Sequence, residues 1–324
     1  MTQATAEATI QDPSLADILD RVEARLVERL RSDEPRLGEI ASYLIHSGGK
    51  RVRPTVTIII FRACGGRNPT DIIDVAAALE LIHSATLLHD DIIDHSETRR
   101  GRDSAYRRYG LADTLVTGDF VFSKAFQLCA RFEEQLINWA AEACIKLTEG
   151  EVMQARFRKN PAVTLADYES IIYRKTASIF EQGARTAAYL AGAPQRVVDS
   201  MARCGADVGM TFQIIDDLLD VDGDAERTGK PTGLDLREGN PSLPIVLSLA
   251  RTPEVARVFQ LAAPTEDDVA SALAAMRKTS VLDEVREMAR DYGHRARGAI
   301  VQLAPSPDRE QLLELIDQLL ERAS

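Results

Sequence analysis

A chain of 324 residues, 45% hydrophobic and 27% charged, is long enough to bury a sizeable core and too apolar to be disordered. With 39 basic and 50 acidic residues the formal charge is −11, which disfavours a general nucleic-acid binder and makes any anionic ligand depend on local basic clusters or on metal. No Pro/Gly/Ser-rich linker divides the chain, so residues 1–324 read as one domain with a frayed terminus over 1–13. The longest apolar runs, such as Val56 to Phe61, fall short of the roughly 18 residues that cross a bilayer, and no signal-peptide pattern precedes them. Cys64, Cys129, Cys144 and Cys204 are widely spaced without a CxxC, the pattern of reduced thiols in a cytoplasmic protein.

Ser14 is placed to cap a helix whose apolar face runs Leu15, Ile18, Leu19, Val22, Leu26, Leu30, a period that fits α and not β. Pro35 interrupts that run, and a second helix through Ile40, Leu44 and Ile45 stops at Gly48-Gly49. There Gly48-Gly49-Lys50-Arg51-Val52-Arg53-Pro54 puts three cations within four positions; the glycines permit close approach to a ligand and Pro54 suits the first turn of the next helix. After Gly65-Gly66, a helix from Asp71 to about Asp94 carries Ile72, Val75, Ala76, Leu79, Ile82 and His83 at helical spacing. It ends in Asp90-Asp91-Ile92-Ile93-Asp94, three carboxylates at i, i+1 and i+4, so that Asp90 and Asp94 share one face with His83 two turns before them. Thr98-Arg99-Arg100-Gly101 then sets two guanidiniums in a loop, a device for gripping diphosphate oxygens in bidentate fashion.

Gly118-Asp119 opens another helical stretch, through Phe120, Val121, Phe126 and Leu128, and an amphipathic segment covers about Glu134 to Arg156. Between Thr164 and Ala191 the apolar face of Leu165, Ile171, Ile172 and Ile179 is interrupted by Lys175-Thr176; a buried lysine is costly without an anion, which makes phosphate contact credible. Pro194 suits the start of a helix that runs to Asp216-Asp217-Leu218-Leu219-Asp220, a second triplet with the spacing of the first. A Gly- and Pro-rich connection follows, from Gly223 to Pro244, with Gly229-Lys230 and Asp235, and long irregular loops of this kind often act as lids. The remainder is helical by pattern around Ala272 to Met276, Val281 to Met288 and Leu312 to Leu320, with Pro305 and Pro307 marking a turn. No stretch keeps a period of two, so the fold class is all-α, a single large helical bundle with a central cavity.

Two carboxylate triplets facing one another across such a cavity can hold several Mg²⁺ ions, which take oxygen ligands and bridge to substrate phosphates. The site then suits a diphosphate ester, with Arg99, Lys175 and Lys230 sharing the charge of the departing diphosphate. A second anionic pocket from Lys50, Arg53, His83 and Arg100 would hold another diphosphate, and two diphosphates side by side imply group transfer.

The ordered motifs Gly48 to Pro54, Asp90 to Asp94 with Arg99-Arg100-Gly101, Lys175-Thr176, Phe212-Gln213 with Asp216 to Asp220, and Gly229-Lys230 resemble those of the trans-type isoprenyl (polyprenyl) diphosphate synthases. The resemblance implies a homodimeric α-helical enzyme of the type I isoprenoid synthase fold that joins isopentenyl diphosphate head-to-tail to an allylic diphosphate. Carried over motif by motif, it implies that Lys50, Arg53, His83 and Arg100 bind isopentenyl diphosphate and that Arg99, Lys175, Thr176, Gln213 and Lys230 bind the allylic diphosphate. Asp90, Asp94 and Asp216 would ligate Mg²⁺, three ions to a site, with Asp91, Asp217 and Asp220 in support. Asn240, in Glu238-Gly239-Asn240-Pro241, stands where the family often has Lys.

Class I terpene cyclases share the first motif, but Gly48 to Pro54 and the all-aspartate second motif count against one. A non-catalytic subunit of a heteromeric synthase would be expected to have lost some of the six aspartates, and all are present. Product length rests on the helix before Asp90. Ala85 and Thr86 line the first turns below the carboxylates, Ile82 narrows the path, and Ala78 lies roughly 10 Å beyond Ala85. The family commonly has an aromatic floor at the Ala85 position for short products, so the reading is a medium- or long-chain product, about C30 or more, with a deeper floor from Phe120 to Phe126. A short-chain farnesyl or geranylgeranyl diphosphate synthase is the alternative.

Overall fold

A computed structural model describes residues 13–45, 48–99, 101–223 and 232–322. The expected terminus over 1–13 therefore lies, apart from Pro13, outside the described residues, as do Arg100, Gly229 and Lys230. Helices account for nearly all of the regular secondary structure among the described residues. Ser14 closes a reciprocal capping box with Asp17 and starts α1 (Leu15–Arg29), whose Ile18, Val22 and Leu26 are buried. Pro35 opens α2 (Pro35–Ile45), and α3 (Val52–Ala63) buries Val56 through Phe61.

The centre of the bundle is α4 (Thr70–Ile93), buried on almost every side from Ile72 to Leu88. It is the one helix among the described residues long and apolar enough to cross a membrane, but 78% of that apolar window is buried against other helices, as in a helix at the heart of a core. A two-residue hairpin follows, β1 (Thr98–Arg99) antiparallel to β2 (Arg102–Asp103), where the sequence indicates a plain loop. Then come α5 (Ala105–Tyr109), α6 (Leu111–Cys129) and α7 (Glu134–Phe157).

Gly118 does not open a helix; it lies in the middle of α6. The reason is steric, since a Cβ there would come within 2.1 Å of the His89 imidazole on α4. Thr164 forms a second capping box and starts α8 (Leu165–Ile172), which continues through a π turn (Tyr173–Ala177) into α9 (Ser178–Leu190). Within the π turn the Ser178 amide donates to the Tyr173 carbonyl five residues back, so the interruption seen in the sequence at Lys175-Thr176 is an extra residue in the helix. Beyond Gly192, in the left-handed region, α10 (Gln195–Asp222) follows Pro194.

The chain then forms α11 (Leu234–Glu238), α12 (Leu243–Ser248), α13 (Pro253–Phe259), α14 (Glu266–Met276), α15 (Val281–Ile300) and α16 (Pro307–Glu321). Pro307 is the first residue of α16 rather than part of a turn before it. One continuous hydrophobic cluster links α1, α3, α4, α9, α10 and the C-terminal helices. The π turn packs on α7 at Gly150, where a Cβ would sit 2.6 Å from the Lys175 backbone nitrogen and 3.0 Å from its Cα.

Because backbone cannot yield as a side-chain tip does, Gly150→Ala should destabilise the protein by about 1–3 kcal/mol and lower Tm by several degrees. Gly298→Ala is the control, since nothing lies within 4 Å of its Cβ and it is on α15; its Tm should be unchanged or raised, as Ala outranks Gly in helices. Paired thermal melts in which both variants match wild type would show that the contact at Gly150 is not rigid.

Candidate active site

Each carboxylate triplet falls at the C-terminal end of a long helix. Asp90 and Asp91 close α4 with Asp94 as its cap; Asp216, Asp217 and Asp220 lie in the last two turns of α10, and neither helix has a basic residue in its last turn. That end of a helix already carries the negative pole of its dipole, so every acid there adds charge of the unfavourable sign. The cations must come from elsewhere in the fold or from solution.

Asp90 shows the consequence. Burial pushes its carboxyl up to about 7; Lys175 opposes the rise, and Glu151 and Asp94 add to it. Lys175 itself projects from the π turn and forms an ion pair with Glu151, one residue after Gly150 on α7. Burial alone would lower the lysine, but Asp90 and Glu151 outweigh it and hold the ammonium above its ordinary value. The anion that the sequence demands for this lysine is thus partly supplied by the protein.

The two central aspartates are enclosed by protein donors. Asp91 has no exposed surface and accepts from Arg99 Nε at 2.6 Å; burial raises its pKa against the pull of that guanidinium. Asp217 accepts from Gln213 Nε2 at 2.9 Å, the Tyr168 hydroxyl at 2.7 Å and the Leu243 amide at 3.0 Å. Burial pushes Asp217 up to about 6 despite these donors. Thr176 Oγ1 donates to Gln213 Oε1 at 2.9 Å, so Thr176, Gln213, Asp217 and Tyr168 form one hydrogen-bonded chain from the π turn to α10.

The outer aspartates meet longer side chains and backbone. Asp94 Oδ1 accepts from Arg158 Nη2 at 2.5 Å, and Arg158 Nε also donates to Asn240 Oδ1 at 3.2 Å, whose amide in turn donates to Glu238 Oε2 at 2.8 Å. Glu238, raised by burial and by Asp94, also feels Asp220, which ties the two triplets to one electrostatic region. Asp220 accepts the Leu234 and Asp235 amides at 3.0 and 3.1 Å, capping α11, and Asp216 lies 3.5 Å from Arg322 near the C-terminal end.

In the first basic motif, Arg51 is structural: in the left-handed region, it pairs with Glu23 and, at 2.9 Å, with Glu80. Lys50 is exposed. Arg53 lies over the rings of Phe180 and Phe212, at 5.2 and 5.9 Å from their centroids, and His83 is half-buried on α4. Arg100 and Lys230, expected at the diphosphates, are outside the described residues.

Below the carboxylates, Ala85 and Thr86 are buried, with Thr86 Oγ1 donating to the His83 carbonyl at 2.8 Å. Deeper on α4, Ala78 and Ile82 line a cavity of about 30 Å³ whose far side includes Phe132 and Leu136. Phe120 to Phe126, expected to supply a deeper floor, are not among the residues lining that cavity; Phe126 is 42% exposed and stacks on Phe122. Phe132, in the turn after α6, lines the cavity with Ala78 and Ile82, a fold-back with no local sequence signal. Glu151, Arg158, Tyr168 and Arg322 likewise carry no local sequence signal, because their partners are distant in the chain.

Among the described residues no three acidic, His or Cys side chains converge on one ion position. Hard carboxylate oxygens offered a few at a time fit Mg²⁺, which takes one or two carboxylates and completes its shell with water and substrate phosphate. The crowded, partly desolvated Asp90 and Asp94 are the donors that most need such a cation.

The polyprenyl synthetase family matches residues 34–278. Octaprenyl diphosphate synthase of Escherichia coli is 34% identical over 306 residues, 93% of this chain and 94% of that protein. A decaprenyl diphosphate synthase from Rhodobacter capsulatus superposes with a TM-score of 0.90 at 34% identity, covering 96% of this chain and 97% of the other. A polyprenyl synthase from Caulobacter crescentus, in complex with calcium and isoprenyl diphosphate, superposes at 0.87 and 34% identity over 97% of this chain and 99% of its own. The match extends over most of the sequence and takes in both aspartate triplets, and the chain belongs to the polyprenyl synthetase family.

Proposed function

We propose that this prenyltransferase joins isopentenyl diphosphate head-to-tail to an allylic diphosphate and repeats the step to make an all-trans polyprenyl diphosphate of medium or long chain. The observation that carries this reading is the pair of aspartate triplets at the ends of α4 and α10 above a buried apolar path along α4. The octaprenyl and decaprenyl synthases among the similar proteins support the longer product.

Asp90, Asp94 and Asp216 are the residues that would hold Mg²⁺, three ions to a site by family resemblance. Asp91 and Asp217, enclosed by Arg99 and by Gln213 and Tyr168, suit a supporting part, and Asp220 anchors α11. When bound, Mg²⁺ neutralises charge on the departing diphosphate. Lys175, Thr176, Gln213, Arg99 and Lys230 would grip the allylic diphosphate, and Lys50, Arg53, His83 and Arg100 the isopentenyl one. The allylic C–O bond breaks with its electron pair leaving on the diphosphate, the isopentenyl double bond attacks the allylic carbon, and a proton passes to the released diphosphate. Ala85, buried below the first triplet, would help to keep water from the allylic carbon as the bond breaks.

We read residues 1–324 as one domain and the protein as a cytoplasmic homodimer. The free thiols suit a reducing compartment, and exposed Leu115, Val116, Ile145 and Val152 on α6 and α7 give a second copy apolar surface to cover.

Asp90→Ala should lower kcat by orders of magnitude, a loss on the order of several kcal/mol of transition-state stabilisation, and excess chelator should abolish turnover by the purified chain alone. Steady-state assays decide this: a variant that keeps more than half the wild-type kcat contradicts the metal assignment. Arg53→Ala should mainly raise KM for isopentenyl diphosphate, and an equal rise for both substrates would refute separate pockets. Ala85→Phe should shift products toward C15 or C20 with the first condensation largely intact, since the ring fills the path one turn below Asp90. Chromatography of labelled products checks it, and an unchanged distribution places the path elsewhere.

A further inference from the structure

We propose that Arg158, which belongs to none of the sequence motifs, is a further substrate-binding residue: from the end of α7 it supplies the positive charge that position 240 lacks and grips the allylic diphosphate between the two aspartate triplets. This rests on the reading of the site as one that holds an allylic diphosphate. α7 stops at Phe157 and Arg158 follows it in extended conformation, so its side chain leaves the helix end and reaches Asp94, 64 positions earlier in the chain. Nη2 donates to Asp94 Oδ1 at 2.5 Å and Nε to Asn240 Oδ1 at 3.2 Å. The backbone fixes that meeting. Lys159, in the left-handed region, donates its amide to the Gly239 carbonyl at 2.8 Å, and a Cβ on Gly239 would run into the Lys159 side chain.

A lysine at 240 would bring an ammonium to the turn after α11, and asparagine brings none. Its amide serves as a bracket instead: Nδ2 donates to Glu238 Oε2 at 2.8 Å, which leaves Oδ1 to hold Arg158. A guanidinium held by Nε keeps Nη1 and Nη2 as a fork, the pair of donors that matches two oxygens of a phosphate. Among the described residues Nη1 has no hydrogen bond and Nη2 has only Asp94, and the side chain is 26% exposed. Arg51 shows the contrast of a structural arginine, 13% exposed with Nε, Nη1 and Nη2 all bonded to protein acceptors. The position of Arg158 suits an anion shared by both triplets, since it pairs with Asp94 of the first and acts on Glu238, which in turn feels Asp220 of the second. The set assigned to isopentenyl diphosphate, Lys50, Arg53, His83 and Arg100, includes no aspartate, so Arg158 goes with the allylic side.

The test uses the purified full-length chain, Mg²⁺ and a thio-analogue of the allylic diphosphate whose C–S bond does not ionise, with Kd read by calorimetry. Arg158→Gln should weaken the analogue by about tenfold or more, the scale of one charge-assisted hydrogen-bonded contact. KM for the allylic primer should rise in step, while KM for isopentenyl diphosphate stays within about twofold of wild type. Adding Asn240→Lys to Arg158→Gln moves the charge back to 240 and should recover most of the lost affinity. A merely structural Arg158 would lower Tm and kcat with Kd unchanged, which overturns the proposal, as does a double variant that melts like wild type but binds no better than Arg158→Gln. If the double variant melts well below wild type, Arg158→Lys decides in its place: it keeps the charge and should bind the analogue more tightly than Arg158→Gln, and a Kd no tighter overturns the proposal. Lys175→Gln run in parallel separates the failures. If it weakens the analogue and Arg158→Gln does not, Arg158 is no part of the grip; if neither does, the site does not hold an allylic diphosphate and the proposed function falls with it.

Discussion

Negative charge gathered at the C-terminal poles of two long helices is the constraint around which this molecule is arranged. Neither α4 nor α10 has a basic residue in its last turn, so neither helix can relieve its own aspartates. Relief comes across the fold: Lys175 from the π turn, Arg99 from the hairpin, Arg158 from the end of α7 and Arg322 from beyond α16. Each of these cations also pairs with, or lies beside, the acid that it serves, so the protein stores a partly neutralised site. On the proposed function, divalent metal and a diphosphate would exchange places with these side chains instead of entering a bare cluster of like charges.

Within each triplet the labour is divided by burial. The central members, Asp91 and Asp217, are enclosed and hydrogen-bonded, and they fix how the helix ends sit against the hairpin, α8 and the start of α12. The outer members keep their oxygens near the shared region. A spacing of i, i+1, i+4 therefore serves two purposes, since the i+1 position points about 100° away from the i position and into the protein.

Much of this was legible in the sequence because it is local. The capping positions Ser14 and Thr164, the stop at Gly192, the start after Pro194 and the two aspartate spacings all act within a turn or two of chain. What escaped depends on contacts through space. Gly118 reads as a helix start until His89 is seen to fill the room its side chain would need. Arg51 looks equivalent to Lys50 and Arg53 until Glu23 and Glu80 are found to hold it. The phenylalanines of α6 read as the floor of the path, whereas the cavity beside Ala78 is lined by Phe132, from the turn after Cys129.

The π turn between α8 and α9 is a change of phase. One residue more than an α-helix requires rotates everything beyond it by about 100° relative to everything before. Upstream, Tyr168 keeps its hydroxyl on Asp217; downstream, Phe180 and Gly183 turn their faces to α3, α4 and α10. A straight helix could satisfy one of those registers but not both. Segment 165–190 thus behaves as two gears on one shaft, and its apolar periodicity, taken across the whole length, blurs at the point where the chemistry is mounted.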